Sequence, residues 1–245
     1  MLRPASVATV TVGSNPEGVA YDSAKGEVFV TNADSNTVSV ISDSNNTVIA
    51  NITTGVGPLG VAYDSGKGEV FVANYGKLNL ANTGSDTVSV ISDSNDTVVA
   101  TITVGSGPSA IAYDSGKGEV FVTIYTSGTV SVVSDSSNTV VANVNVESLS
   151  APLGVAYDSV KGEVFVDNSG TVSVISDTSN AVVASVPVGS GPVGIAFDSA
   201  KDELFVANSD IGENLAGTVT VISDSTSSST SSLTSAPTPT QQSLN

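Results

Sequence analysis

The chain has 245 residues, of which 7 are basic and 24 acidic, so its formal net charge is −17. Because Cys and His are absent, the chain can build no disulfide framework, zinc finger, thiol nucleophile or Ser-His-Asp triad. The acidity argues against nucleic acid and against an anionic membrane surface, both of which are bound by Lys and Arg.

The first predicted element is a strand at residues 7–12, Val-Ala-Thr-Val-Thr-Val. The residues before it contain one Arg but no apolar run, and we expect no signal peptide there. Further along, no stretch reaches the ~18 consecutive apolar residues of a membrane-spanning helix. We therefore expect no direct membrane insertion.

An internal repeat then fills most of the chain. Copies of Pro-x-Gly-Val-Ala-Tyr-Asp begin at five prolines, spaced 42, 50, 44 and 40 residues apart: Pro16, Pro58, Pro108, Pro152 and Pro192. Each copy continues through Val-Phe-Val-x-Asn and Thr-Val-Ser-Val-Ile-Ser-Asp, and the first four reach a run such as Thr-Val-Ile-Ala-Asn-Ile-Thr. These β-branched runs, bounded by Gly, Asn, Asp and Ser, predict four strands per unit, here called A to D.

Four short strands every ~40–45 residues are typical of a β-propeller blade. Ten of the twelve aromatic residues occupy two repeat positions, one in strand A and one in strand B. In strand B, Phe29 points to one face while Val28 and Val30 point to the other, so both faces of each sheet are apolar. Stacking one blade on the next would cover both.

The last unit has strands A, B and C but no D, while residues 7–12 resemble a D strand without its own unit. The sequence therefore predicts an all-β, five-bladed propeller over residues 5–224, closed by the N-terminal strand completing the last blade. A fragment of a larger ring, or an open arc that closes by dimerising, is the alternative.

The C-terminal residues 225–245 consist almost wholly of Ser, Thr, Pro, Gln and Ala. Such a composition cannot bury a core and predicts a disordered tail. It is compatible with an O-glycosylated stalk and equally with an unmodified end.

These repeated motifs resemble the YVTN-type β-propeller repeat, which is common in archaeal and bacterial surface-layer and secreted proteins. The resemblance rests on Pro-x-Gly-Val-Ala, Val-Phe-Val-x-Asn, Thr-Val-Ser-Val-Ile-Ser-Asp and Val-Val-Ala-Thr-Ile-x-Val-Gly over residues 5–224. It implies a propeller scaffold displayed outside the cell. Rings of that family often have seven blades, whereas this chain has five repeats.

The candidate binding face is the top, where the B–C loops and D–A links lie. The bottom turns are nearly uniform, whereas the B–C loops vary in length, and irregular loops commonly carry binding. Tyr75 and Tyr125 are the two aromatics outside the repeat positions, and either they form an aromatic platform or each packs on its own loop. A second set, the Asn that ends strand B, could line the upper rim: Asn32, Asn74, Asn168 and Asn208.

Ten Asp residues end strands A and C at the bottom face, and strand A contributes Asp22, Asp64, Asp114, Asp158 and Asp198. They invite a calcium hypothesis, but strands A and C are separated by strand B, and Asp also caps turns through its own backbone. We expect the turn role, and predict no metal site and no cofactor. Three Asn-x-Ser/Thr sequons, at Asn45, Asn51 and Asn95, are glycosylation candidates only if the protein is exported.

The sequence favours a non-enzymatic, monomeric binding or structural propeller at the cell surface, with a protein or carbohydrate partner. One alternative is a propeller-class enzyme, lactonase-like or quinoprotein-dehydrogenase-like, but no catalytic constellation is recognisable and Asn is no general base. The other alternative is an intracellular protein-interaction scaffold.

Overall fold

The computed structural model describes residues 8–76, 85–146, 151–209 and 217–223, and these contain nineteen β-strands. Blade one consists of β1 (Pro16–Asp22), β2 (Glu27–Asn32), β3 (Thr37–Ser42) and β4 (Thr47–Thr53), and blade two of β5 (Pro58–Asp64), β6 (Glu69–Asn74), β7 (Thr87–Ser92) and β8 (Thr97–Thr103). Blade three consists of β9 (Pro108–Asp114), β10 (Glu119–Ile124), β11 (Thr129–Ser134) and β12 (Thr139–Asn145), and blade four of β13 (Val155–Asp158), β14 (Glu163–Asn168), β15 (Thr171–Ser176) and β16 (Ala181–Pro187). Blade five consists of β17 (Pro192–Asp198), β18 (Glu203–Asn208) and β19 (Thr218–Ser223).

Each blade is an antiparallel meander in sequence order. The predicted strands A to D are confirmed in blades one to four, and strands A to C in blade five. The described residues contain no helix long and apolar enough to cross a membrane.

Strand A is innermost, because the A strands of successive blades contact one another around the axis. Glycine permits this approach: a Cβ on Gly18 would lie 2.4 Å from the carbonyl oxygen of Leu59, in the next blade. The hydroxyl of Thr31 adds a hydrogen bond to the same carbonyl at 2.7 Å. Strand A therefore carries small residues because the A strands of neighbouring blades approach each other closely, as predicted.

The core lies between blades. The trailing face of blade one, with Phe29, Val38 and Val40, packs against the leading face of blade two, with Val70 and Val72. The same arrangement recurs at the next three junctions. Both faces of an interior blade are therefore covered, as the alternating apolar pattern predicts.

Strand D forms the outer edge of blades one to four, and it is interrupted by a β-bulge. One bulged residue in each blade, with no opposite residue in strand C, points outward and is exposed: Ile49, Val99, Val141 and Val183. Bulges of this kind protect an open sheet edge from pairing with another chain.

The structure does not show the predicted closure of the ring. Among the described residues, 8–12 belong to no strand and the sheet of blade five has three strands. Val219 and Val221 on the trailing face of blade five are 60% and 52% exposed, whereas the equivalent Val38 and Val40 are fully buried. The predicted tail, 225–245, and Asp224, which was predicted to end the last C strand, lie outside the described residues.

Candidate functional site

The top face carries an aromatic pair at the junction of blades two and three. Tyr75 follows β6 and Tyr125 follows β10, and their ring centroids lie 5.9 Å apart with the ring planes at 65°. This edge-to-face geometry is a favoured arrangement for aromatic rings. The two residues therefore pack on each other across the junction, and neither packs on its own loop alone.

The D–A links hold this pair in place. The amide of Tyr75 donates to the carbonyl of Gly57 at 2.9 Å, and the amide of Tyr125 donates to the carbonyl of Gly107 at 3.0 Å. Gly107 has a φ of 73° and lies beneath both side chains, where a Cβ would come within 3.6 Å of each ring residue. The pair is thus built on backbone that the repeat itself fixes.

One ring is more open than the other. Tyr125 is 39% exposed, while Tyr75 is partly buried, and burial followed by the neighbouring Tyr125 raises the pKa of its phenol. The phenol of Tyr75 therefore stays neutral at physiological pH, and each of the two hydroxyls can donate or accept a hydrogen bond. The pair offers an uncharged aromatic surface on a strongly acidic protein.

A groove of about 300 Å³ opens on the same face, between the outer parts of blades one and two. The described residues that line it are uncharged and rich in hydroxyl groups, and they include Thr53, Thr54, Ser85, Thr87, Ser89 and Thr101. Ser85 borders the groove at one end of the B–C loop of blade two, and Tyr75 stands at the other end of that loop. The intervening residues 77–84 lie outside the described residues.

The four Asn residues that end strand B do not line an open rim, which corrects the prediction. Asn32, Asn74, Asn168 and Asn208 are buried, and their side-chain amides bond hydroxyls of strand C in their own blade. For example, Nδ2 of Asn32 donates to Oγ of Ser39 at 3.0 Å. They connect strands B and C and are not presented to a ligand.

The Asp residues at the bottom face have two distinct roles. Those that end strand A cap the A–B turn as predicted: Oδ1 of Asp22 accepts from the amides of Ala24 and Lys25. Three of those that end strand C, Asp93, Asp135 and Asp177, instead join neighbouring blades. Asp93 accepts from the phenol of Tyr63 in its own blade at 3.0 Å and pairs with Lys25 of the preceding blade at 3.1 Å.

Asp167 in β14 is a buried carboxylate that is not among the site residues predicted from the sequence. Its Oδ1 accepts from the amides of Leu153 at 2.9 Å and Gly154 at 2.7 Å, while its Oδ2 has no partner among the described residues. Burial raises its pKa to about 6. The available signal was that this repeat position holds Thr, Ala, Thr, Asp and Ala in the five blades, so that blade four alone has an acid.

All three glycosylation candidates are exposed in the structure. Asn45 and Asn95 lie in C–D turns, where each Oδ1 accepts a hydrogen bond at 2.7 Å from the hydroxyl of the sequon threonine. Asn51 lies on the outer strand β4, and its Oδ1 accepts from Oγ of Ser39 at 2.7 Å.

Comparison with known proteins identifies the architecture. No family model matches the chain, and no curated protein sequence matches it. Among solved structures, hydrazine synthase of Kuenenia stuttgartiensis is similar with a TM-score of 0.74 at 16% identity, over 91% of this chain and 67% of that one. The β-propeller domain of Cps50 (Swd1) from Myceliophteria thermophila is similar with a TM-score of 0.68 at 8% identity, over 86% of this chain and 72% of that one. At these identities the similarity shows the β-propeller fold alone.

Proposed function

We propose that this protein is a non-enzymatic binding propeller whose top face holds a neutral carbohydrate at Tyr75 and Tyr125. The observation that carries the proposal is the edge-to-face pair of partly exposed phenols, fixed by Gly57 and Gly107. Tyr combines an apolar ring with a polar group and orders little flexible chain on binding, which suits a recognition surface.

The chemistry around the pair favours an uncharged partner. The apolar C–H face of a sugar ring packs on an aromatic ring, while its hydroxyls exchange hydrogen bonds with phenol and Ser/Thr hydroxyls. The neighbouring groove supplies such hydroxyls, and the described residues that line it carry no charge. A protein partner is the other candidate, because Tyr is also enriched at protein interfaces.

The test is a binding screen with matched tyrosine variants. The double variant Tyr75→Ala, Tyr125→Ala should lose at least tenfold in affinity for whichever neutral oligosaccharide of an array the wild type binds. Tyr21→Ala, which removes an exposed tyrosine at the bottom face, should bind as the wild type does. Equal affinity in the double variant would contradict the top-face proposal. If the wild type binds a protein partner but no oligosaccharide, the proposed ligand class changes from carbohydrate to protein.

An enzymatic function has one observation in its favour, the raised pKa of Asp167. The surroundings of this carboxylate favour a structural role instead. Thr31 and Thr123 occupy the same position in blades one and three, and the hydroxyl of each accepts from an amide of strand A. Oδ1 of Asp167 accepts in the same way from the amide of Gly154, which lies just before β13. Asp167 thus repeats a strand-linking contact, and we propose no reaction for it.

Display at the cell surface is part of the proposal. It is supported by the resemblance of the repeat to surface-layer propellers and by the exposure of Asn45, Asn51 and Asn95. The test is mass spectrometry of the protein from its native cells: glycans at these residues and labelling by a membrane-impermeant reagent are expected. Exclusively internal, unmodified protein would favour the intracellular scaffold.

We also propose a fifth junction, between the trailing face of blade five and the leading face of blade one. It would cover the two faces that the described residues leave exposed, and residues 7–12 would add the fourth strand to blade five, as the sequence predicts. Burial of β-branched side chains at this junction would be favourable by ~25 cal/mol for each Å² removed from water.

A further inference from the structure

The five blades form an arc with two end faces, the leading face of blade one and the trailing face of blade five. These faces correspond to the two sides of the blade junction that the chain already makes four times. Val219 and Val221 occupy the positions of Val38 and Val40, which are buried by blade two. At the other end, Val19 and Tyr21 are 66% and 52% exposed, whereas their equivalents in blades two to four pack against the preceding blade. Each end therefore presents the surface that the other end of an identical arc is shaped to cover.

The polar contacts at the ends are incomplete in the same complementary way. At the first three junctions a Lys of one blade pairs with the strand C Asp of the next, as Lys67 does with Asp135 at 3.2 Å. Among the described residues, Lys201 of blade five pairs with no carboxylate and Asp43 of blade one pairs with no lysine. The repeat order makes these two the missing partners of each other.

The backbone at the ends supports the same relationship. A Cβ on Gly18 or Gly60 would collide with the strand A backbone of the following blade, whereas a Cβ on Gly194 in blade five would meet nothing within 4 Å.

We propose that a second copy of this chain docks head to tail, placing the leading face of its blade one on the trailing face of blade five. In this contact Asp43 of the second copy pairs with Lys201 of the first. The inference rests on the proposed fifth junction and assigns that junction to two chains. One finding favours two chains over one: both end faces of the single chain are exposed at once.

This contact is heterologous, because it joins two different surfaces of the same chain. Each added copy leaves one free end of either kind, so assembly continues until a ring closes or a longer oligomer forms. Sedimentation velocity should show species larger than the 24.3 kDa chain that increase with protein concentration. The exposed β-branched patch would thus be an assembly surface.

Complementary blocked variants give the decisive test. Val219→Asp disables the trailing face and Val19→Asp the leading face, so each variant alone should sediment as a monomer. Mixed, they retain one working face each and should form a one-to-one dimer that grows no further. Val183→Asp, an exposed substitution on the outer strand of blade four, is the matched control and should assemble as the wild type does.

The outcomes separate the inference from the proposals on which it rests. One outcome is a wild-type protein that stays monomeric up to about 100 μM, together with a lower melting temperature in both blocked variants than in the wild type. This outcome would assign the fifth junction to one chain and overturn the inference. A monomer whose melting temperature neither variant changes would overturn the fifth junction itself. Carbohydrate binding by Tyr75 and Tyr125 is measured separately and depends on neither result.

Discussion

Lys25 of blade one reaches across to blade two and forms an ion pair with Asp93, with Nζ and Oδ1 3.1 Å apart. The phenol of Tyr63 donates to the other oxygen of the same carboxylate. Burial, with hydrogen bonds to Asp22 and Asp93, raises the pKa of this phenol well above its usual value, so it stays a donor. One Asp therefore ties two blades together, and the arrangement recurs at the next two junctions.

Removing one of these cations should weaken a single junction. Lys67→Met should lower the free energy of unfolding by about 1 kcal/mol or less, because the lysine is partly exposed and solvent screens the pair. The loss should shrink at high salt. Urea unfolding of dilute protein checks this, and an unchanged free energy of unfolding in Lys67→Met would show that the ion pair contributes nothing.

The cost of truncating the strand B phenylalanines should depend on the position of the blade. Phe121→Ala, at the centre of the arc, should cost ~3–5 kcal/mol because its cavity is enclosed by two blades. Phe205→Ala should cost clearly less, since its side is partly open in blade five. Equal losses in the free energy of unfolding for the two variants would contradict the assignment of blade five as an end blade.

The pair of acids at the first junction should respond to neutralisation. Burial and then Asp96 raise the pKa of Glu27, and burial also raises that of Asp96. At the third junction an asparagine takes the place of the second acid, and Nδ2 of Asn180 donates to Glu119 at 3.4 Å. Asp96→Asn should therefore stabilise the protein at pH 7 by roughly 0.5 kcal/mol.

This gain should follow pH in one direction. A carboxyl with a raised folded-state pKa favours the folded state when protonated, so stability decreases as pH rises through the usual pKa to the raised one. The advantage of Asp96→Asn should be present at pH 7 and shrink below pH ~4, where both acids are protonated. Thermal unfolding at both pH values tests this, and a destabilised variant at pH 7 would show that Asp96 is needed as an anion.

Asp167 should cause the largest single pH effect. Because its pKa is raised to about 6, its contribution should be greatest below pH ~4, decline as the pH rises to 6, and be constant above. The total change should be on the order of 3 kcal/mol. Asp167→Asn keeps the Oδ1 acceptor for Leu153 and Gly154 and should remove this dependence.

Unfolding free energies between pH 4 and 7 provide the measurement. Asp34→Asn, an exposed substitution, is the control that should keep the wild-type slope. A wild-type slope in Asp167→Asn as well would show that another group titrates.

The repeat allowed most of the fold to be predicted from the sequence. β-branched runs between turn residues placed the strands, and the alternation around Phe29 predicted that both faces are covered. The Asx turn at Asp22 was also predictable, because it depends on two neighbouring amides. These features are local, so residue type and spacing determine them.

The features that the sequence did not reveal depend on distances between blades. Whether five blades close is set by the angle at each junction, which no single blade encodes. The contact of Tyr75 with Tyr125 and the pairing of Lys25 with Asp93 likewise require the relative placement of two sheets. The buried position of Asn32 did not follow from strand B alone, because it depends on the hydroxyl of Ser39 in strand C, to which its side-chain amide donates.

Tyrosine-selective NMR tests the top-face site most directly, because the chain has six tyrosines in two groups. Tyr75 and Tyr125 lie at the top, and Tyr21, Tyr63, Tyr113 and Tyr157 lie near the bottom. Titration of tyrosine-labelled protein with the oligosaccharide selected by the array should shift the ring signals of Tyr75 and Tyr125 and leave the other four unchanged. Shifts confined to the bottom group, or binding that moves no tyrosine signal, would contradict the account.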